Sequence, residues 1–177
     1  IGPQQSTQRE SPLQITLLQA VVRAERMDLS IGKAVELGVY AIQPLMLTRS
    51  QGMKTTQLQR KEKHWQAVAQ SAAEQSGRTI RPDVYSTCSL TDWLAKQSAY
   101  DLKLLLHPGL DRAKPDVEAT PRSLALLIGP EGGLSDEEVS LAQSAGFQGL
   151  TLGPRILRTE TAAMAAITAC QLQWGDL

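Results

Sequence analysis

The chain has 177 residues, 42% of them apolar, with 18 basic residues balanced by 18 acidic ones. That length suits one domain with at most a short tail, and the composition excludes intrinsic disorder. The zero net charge excludes a global field that would draw in nucleic acid, which counts mildly against RNA binding by this chain alone.

Residues 1–14 are polar and Gln-rich and do not begin with Met, so they are predicted to be a linker from a longer protein. The apolar run 15–22 predicts a buried strand. Residues 28–37 predict a helix ending at Gly38, and 39–47 a second strand. A long helix is expected over 55–76, with Trp65, Val68, Ala69, Ala72 and Ala73 at helical spacing and Gly77 as its cap. A short strand at 84–86 and a helix capped by Ser89 follow. Residues 102–106 read as a strand, 108–122 as a loop, 124–128 as a strand, 150–152 as a short last strand and 159–173 as a closing helix.

Strands that are apolar throughout, alternating with helices, predict an α/β fold: a mostly parallel sheet with helices on both faces. Ligands of such sheets bind beyond the C-terminal strand ends, which directs attention to the loops after 106, 128 and 152. Cys88 and Cys170 are far apart and lack metal-ligand spacing, so a reduced cytoplasmic protein without a metal is expected. The sequence shows no signal peptide and no apolar run long enough to span a bilayer.

The first motif is Leu126-Leu127-Ile128-Gly129-Pro130-Glu131-Gly132-Gly133-Leu134-Ser135. A strand enters a glycine-rich turn that lets a ligand approach the backbone closely. Ser135 with Glu138 forms a capping box, and Leu134 with Val139 a hydrophobic staple. A tight structural turn would account for the glycines but not for Glu131 among them. A phosphate cradle would end in Gly-Lys-Ser/Thr, and no lysine is present here. The ligand near Glu131 is therefore expected to be neutral or cationic.

The second motif is Leu152-Gly153-Pro154-Arg155-Ile156-Leu157-Arg158-Thr159, leading into an alanine-rich helix with Thr159 as the expected N-cap. Arg155 and Arg158 could be solvated surface residues. Cations are nevertheless disfavoured beside a helix N-terminus, so both would be better placed facing an anion.

Together, these two motifs resemble the family of ribosomal RNA small-subunit methyltransferase E, within the knotted SPOUT superfamily. Residues 28–39, DLSIGKAVELGV, and 74–78 add to the resemblance, which covers about residues 13–177. It implies a catalytic domain over 15–177 with a C-terminal deep trefoil knot, a rare exception to unknotted chains. It also implies an N-terminal PUA-like RNA-binding domain that would precede the linker.

The resemblance further implies S-adenosylmethionine as cofactor, no metal, a homodimer with the closing helix in its interface, and methylation of uridine N3 in 16S ribosomal RNA. Its cofactor loops map onto Leu106, His107 and Pro108; onto Gly129, Pro130, Glu131 and Gly132; and onto Leu152, Gly153, Ile156, Leu157 and Arg158. Arg158 is the candidate for stabilising developing charge on uracil. Glu131 is a candidate proton acceptor or a residue that holds the loop, the two standing level. Arg78 and Arg155 are candidates for RNA contact. His107 is read as shaping the backbone before Pro108. The basic stretch Lys54, Arg60, Lys61 and Lys63 is read as a solvated helix face. A different rRNA or tRNA target, or a non-catalytic ribosome-assembly factor on the same fold, would use the same loops.

Overall fold

A computed structural model describes residues 9–50, 55–96, 99–108 and 119–177. Most of the expected linker, most of the expected 108–122 loop, and Lys54 lie outside these residues. In chain order the elements are β1 (Gln14–Ala20), α1 (Ala24–Glu36), β2 (Ala41–Met46), α2 (Thr55–Ser76), β3 (Asp83–Val84), β4 (Cys88–Ser89), α3 (Leu90–Lys96), β5 (Leu102–Leu106), β6 (Ser123–Ile128), α4 (Asp136–Ser144), β7 (Gln148–Leu150) and α5 (Thr159–Trp174).

The strands form one sheet in the order β3-β2-β1-β6-β5-β7, with β4 also pairing β2. Every described pairing is parallel. Alternate strand residues serve opposite layers. Ile15 and Leu17 of β1, with Leu124, Leu126 and Ile128 of β6, join the core under α1, α2 and α5. Leu18, Ala20, Ala125 and Leu127 face the other way, toward Trp93 of α3 and Ala142 of α4. Both sheet faces are covered, which is why these strands lack an apolar–polar alternation in sequence.

Several element bounds differ from expectation for identifiable reasons. Helix α1 begins at Ala24, four residues before its expected start. Its N-cap, Arg23, makes no side-chain capping bond, so no local residue announces the start. The paired segment β4 is only two residues long and passes unnoticed in sequence. Strand β7 ends at Leu150, where its register with Leu106 of β5 runs out.

The capping box of α4 is present as expected: Ser135 Oγ accepts from the Glu138 N–H at 3.2 Å, and Glu138 Oε2 accepts from the Ser135 N–H at 2.9 Å. At α5 the expectation needs correction. Arg158 is the N-cap, with extended backbone and no capping side chain, and Thr159 is the first helical residue.

From β7, at the sheet edge, the chain returns past β5 to lay α5 against α1 and the central strands β1 and β6. Ala162, Ala163, Ala166, Ile167 and Cys170 are buried in this packing. The small residues of α5 therefore let helix and sheet backbones approach within the chain. At the far end, the buried Gln171 donates to the carbonyl of Leu37 at 3.0 Å and accepts from the Ser11 hydroxyl at 2.7 Å.

Candidate active site at the C-terminal edge of the sheet

Strand register brings the expected loops to one edge. Gln19 of β1 pairs with Ile128 of β6, Ile128 with Leu106 of β5, and Leu106 with Leu150 of β7. The segments beginning at Val21, His107, Gly129 and Thr151 therefore leave the sheet side by side. In a parallel sheet this is the edge where ligands bind.

One side chain ties three of these segments together. The buried Thr159 hydroxyl donates to the Gly129 carbonyl at 2.8 Å and accepts from Gln19 Nε2 at 3.0 Å. Gln19 is buried in the sheet, and its Nε2 also donates to the Ala20 carbonyl at 3.1 Å. Next to this junction two acceptors lack protein donors among the described residues: Gln19 Oε1 and Glu160 Oε2. Glu160 is buried at 8% exposure on the first turn of α5.

Two arginines that the sequence did not single out contact the glycine loop. Glu131 Oε1 is paired with Arg26 of α1 at 2.9 Å, each side chain about a third exposed. Arg49, just after β2, donates from Nη1 to the carbonyls of Gly132 at 2.7 Å and Leu134 at 3.1 Å. A Cβ at Gly132 would come to 3.3 Å from Arg49 Cδ, so glycine there permits the close approach. No local pattern could have flagged Arg26 or Arg49, because both reach the loop only through strand order.

In the third loop, Gly153 has φ +94°, a conformation that side chains other than glycine's rarely adopt. Leu106, Leu152 and Leu157 are half-buried and pack on the core, and Pro130 is buried. They give the edge an apolar floor. Ile156, by contrast, is 84% exposed, and Pro108, Arg155 and Arg158 are exposed as well. His107 is half-buried. The edge thus offers an apolar floor and a glycine-rich backbone, with arginines at its rim.

Arg78 lies elsewhere and is engaged in the fold. Its guanidinium pairs with Glu10 and donates to the carbonyls of Val35 at 3.1 Å and Val39 at 2.8 Å, leaving its side chain 6% exposed. Burial pushes the Glu10 carboxyl up, but Arg78 and the N–H groups of Ile80 and Thr79 outweigh it and hold the carboxyl below its ordinary range. Arg78 therefore fastens the N-terminal segment to α1 and α2, a geometry that leaves little of it for a phosphate. Arg60 and Lys63 are exposed on α2, as a solvated face requires. A shallow groove of about 510 Å³ between α1 and α2 is lined by residues such as Gly32, Lys33 and Val68 and includes none of the edge loops.

Residues 9–171 match the RNA methyltransferase domain family. The chain belongs to this family. It is 35% identical to ribosomal RNA small subunit methyltransferase E of Buchnera aphidicola, over 94% of this chain and 66% of that protein. It is 30% identical to the Bacillus subtilis protein of the same name, over 93% of this chain and 68% of that protein. The chain thus spans about two thirds of the length of these relatives.

Among solved structures, a Legionella pneumophila methyltransferase in complex with bound SAM superposes with a TM-score of 0.90 at 42% identity, covering 96% of this chain and 70% of that one. Ribosomal RNA small subunit methyltransferase E of Neisseria gonorrhoeae, bound to S-adenosyl methionine, gives 0.87 at 39% identity, covering 97% and 71%. Among the described residues, no helix is long and apolar enough to cross a membrane.

Proposed function

We propose that this chain binds S-adenosylmethionine at the loop edge and transfers its methyl group to N3 of a uridine in small-subunit (16S) ribosomal RNA. The observation that carries the reading is the convergence, at one sheet edge, of the 107–108, 129–134 and 151–158 loops, in a chain two of whose solved relatives, at 42% and 39% identity, hold that cofactor. The residues present suit the molecule. Leu106, Leu152 and Leu157 offer an apolar surface for adenine, and the glycine loop offers backbone groups. When bound, the cofactor supplies an electrophilic methyl group on a sulfonium.

The protein's share follows from uracil chemistry. N3 carries a proton and becomes nucleophilic as that proton leaves, so negative charge spreads over the ring and its oxygens. Arg158, exposed at the lip between the third loop and α5, is the cation for that charge. Arg155 stands nearby for an RNA phosphate. The Arg26 ion pair favours a loop-holding role for Glu131 over proton transfer, because the carboxylate already has a cationic partner on the first turn of α1. In this reading the C-terminal segment makes the family's knot. The protein works in the cytoplasm as a homodimer, with a separate N-terminal domain supplying most of the RNA affinity.

The test is methyl transfer from labelled S-adenosylmethionine to small ribosomal subunits from a deletion strain, with the modified nucleotide mapped. Arg158→Ala should abolish transfer while calorimetry still shows cofactor binding. Absence of cofactor binding by the unaltered chain at millimolar concentration refutes the reading, and methylation at another nucleotide refutes its uridine N3 part.

A further inference from the structure

The glycine loop is held by a residue that lies more than 80 positions away in the chain and belongs to none of the cofactor loops. We infer that Arg49 is a positioning residue for the cofactor site, acting through Gly132 and Leu134 rather than on the cofactor itself. The inference rests on the reading of the 129–134 loop as a cofactor wall.

Three contacts tie down residues 47–50, the turn that follows β2. The Ser50 N–H donates to the Leu47 carbonyl at 3.0 Å, and the Leu47 N–H donates to Ser50 Oγ at 3.1 Å, closing the turn that carries Arg49. The Thr48 N–H donates to Glu138 Oε1 at 2.7 Å, so the same turn is anchored to the first turn of α4. From this base the Arg49 stem crosses Gly132, with a Cβ there meeting Arg49 Cβ at 3.4 Å, and one guanidinium nitrogen bridges two loop carbonyls.

Helix formation does not require this bridge. The capping box settles the start of α4 through Ser135 and Glu138, and the exposed Gly132 carbonyl could be satisfied by water. What Arg49 adds is the position of the loop tip relative to β2. Sites held loosely by their supporting residues lose affinity even when every contact group is present. Lysine keeps the charge but lacks the planar fork and reach of arginine, so it should substitute only in part.

The experiment is a calorimetric titration of S-adenosylmethionine into the wild-type chain, Arg49→Ala, Arg49→Lys, Gly132→Ala and the Arg49→Ala/Gly132→Ala double variant, with thermal unfolding of each. Arg49→Ala should weaken binding on the order of 10- to 100-fold with its unfolding midpoint nearly unchanged. Arg49→Lys should recover part of the loss. The double variant should bind no more weakly than the weaker single variant, because both remove the same contact. Wild-type affinity in Arg49→Ala, additive losses in the double variant, or a loss that only tracks unfolding overturns the inference. Should Arg49→Ala fail to fold, Arg49→Lys and Gly132→Ala carry the test. Should the wild-type chain bind no cofactor, the functional reading fails by itself. The clamp is then tested by hydrogen exchange at the Gly133 N–H, which donates to the Pro130 carbonyl at 2.9 Å. Faster exchange in Arg49→Ala supports it, and unchanged exchange overturns it.

Discussion

Thr159 donates its hydroxyl proton to the carbonyl of Gly129 at 2.8 Å, and so fixes the start of the last helix to the turn after β6. With Gln19 donating to the same hydroxyl, one side chain joins the ends of two central strands to the third loop. Thr159→Val keeps the shape but leaves one N–H of the buried Gln19 amide and the Gly129 carbonyl without the partner that Thr159 supplies. It should cost about 1–3 kcal/mol in urea unfolding, whereas Thr159→Ser should stay near wild type.

Gly153→Ala tests the third loop. A methyl group there meets little, the nearest atom being Arg155 Nη2 at 4.0 Å, so the cost is backbone strain at φ +94°. About 1–2 kcal/mol of strain is expected, and the loop can relieve it by moving. Cofactor affinity measured by calorimetry should therefore fall more than the unfolding midpoint does.

Glu131→Gln separates the two roles open to that residue. Its ion pair with Arg26 is about a third exposed on both sides, so its loss should change stability by less than about 1 kcal/mol. If Glu131 holds the loop, Glu131→Gln and Arg26→Gln should both raise KM for the cofactor and leave kcat close to wild type. A large fall in kcat confined to Glu131→Gln would instead mark it as the proton acceptor.

Glu10 predicts an acid-sensitive fastening. Its carboxyl is held below the ordinary glutamate value of 4.5, so its stabilisation is fully present above that value and is lost as pH falls through the lower folded value. Urea unfolding midpoints followed from neutral pH into the acid range should drop in that window. Glu10→Gln should be less stable than wild type at neutral pH, with the gap narrowing on acidification.

Much of this molecule is legible locally. Apolar runs at 102–106 and 124–128 mark strands because strands buried on both faces have no polar side to show. The Ser135 capping box is a contact over three residues, so sequence spacing alone places it. The glycine and arginine loops stand out because a simple turn does not call for Glu131 among its glycines, nor a helix start for two arginines before it.

Other features have no local signature. The start of α1 lacks a capping residue, and α5 begins after an arginine instead of at the threonine that composition favours. Arg78 reads as a free cation until the fold brings Glu10 and two carbonyls to it.

Sequence alone pointed to the loops after β5, β6 and β7 as the candidate site, since glycine turns, caps and apolar strand ends are short-range patterns, and the family resemblance named the candidate residues within them. Tertiary structure decided what surrounds Glu131. The parallel sheet brings the first turn of α1 and the turn after β2 to the β6 loop, and only that juxtaposition sets Arg26 and Arg49 against it. Contacts across about 80 to 100 residues depend on strand order, and strand order is a property of the whole sheet.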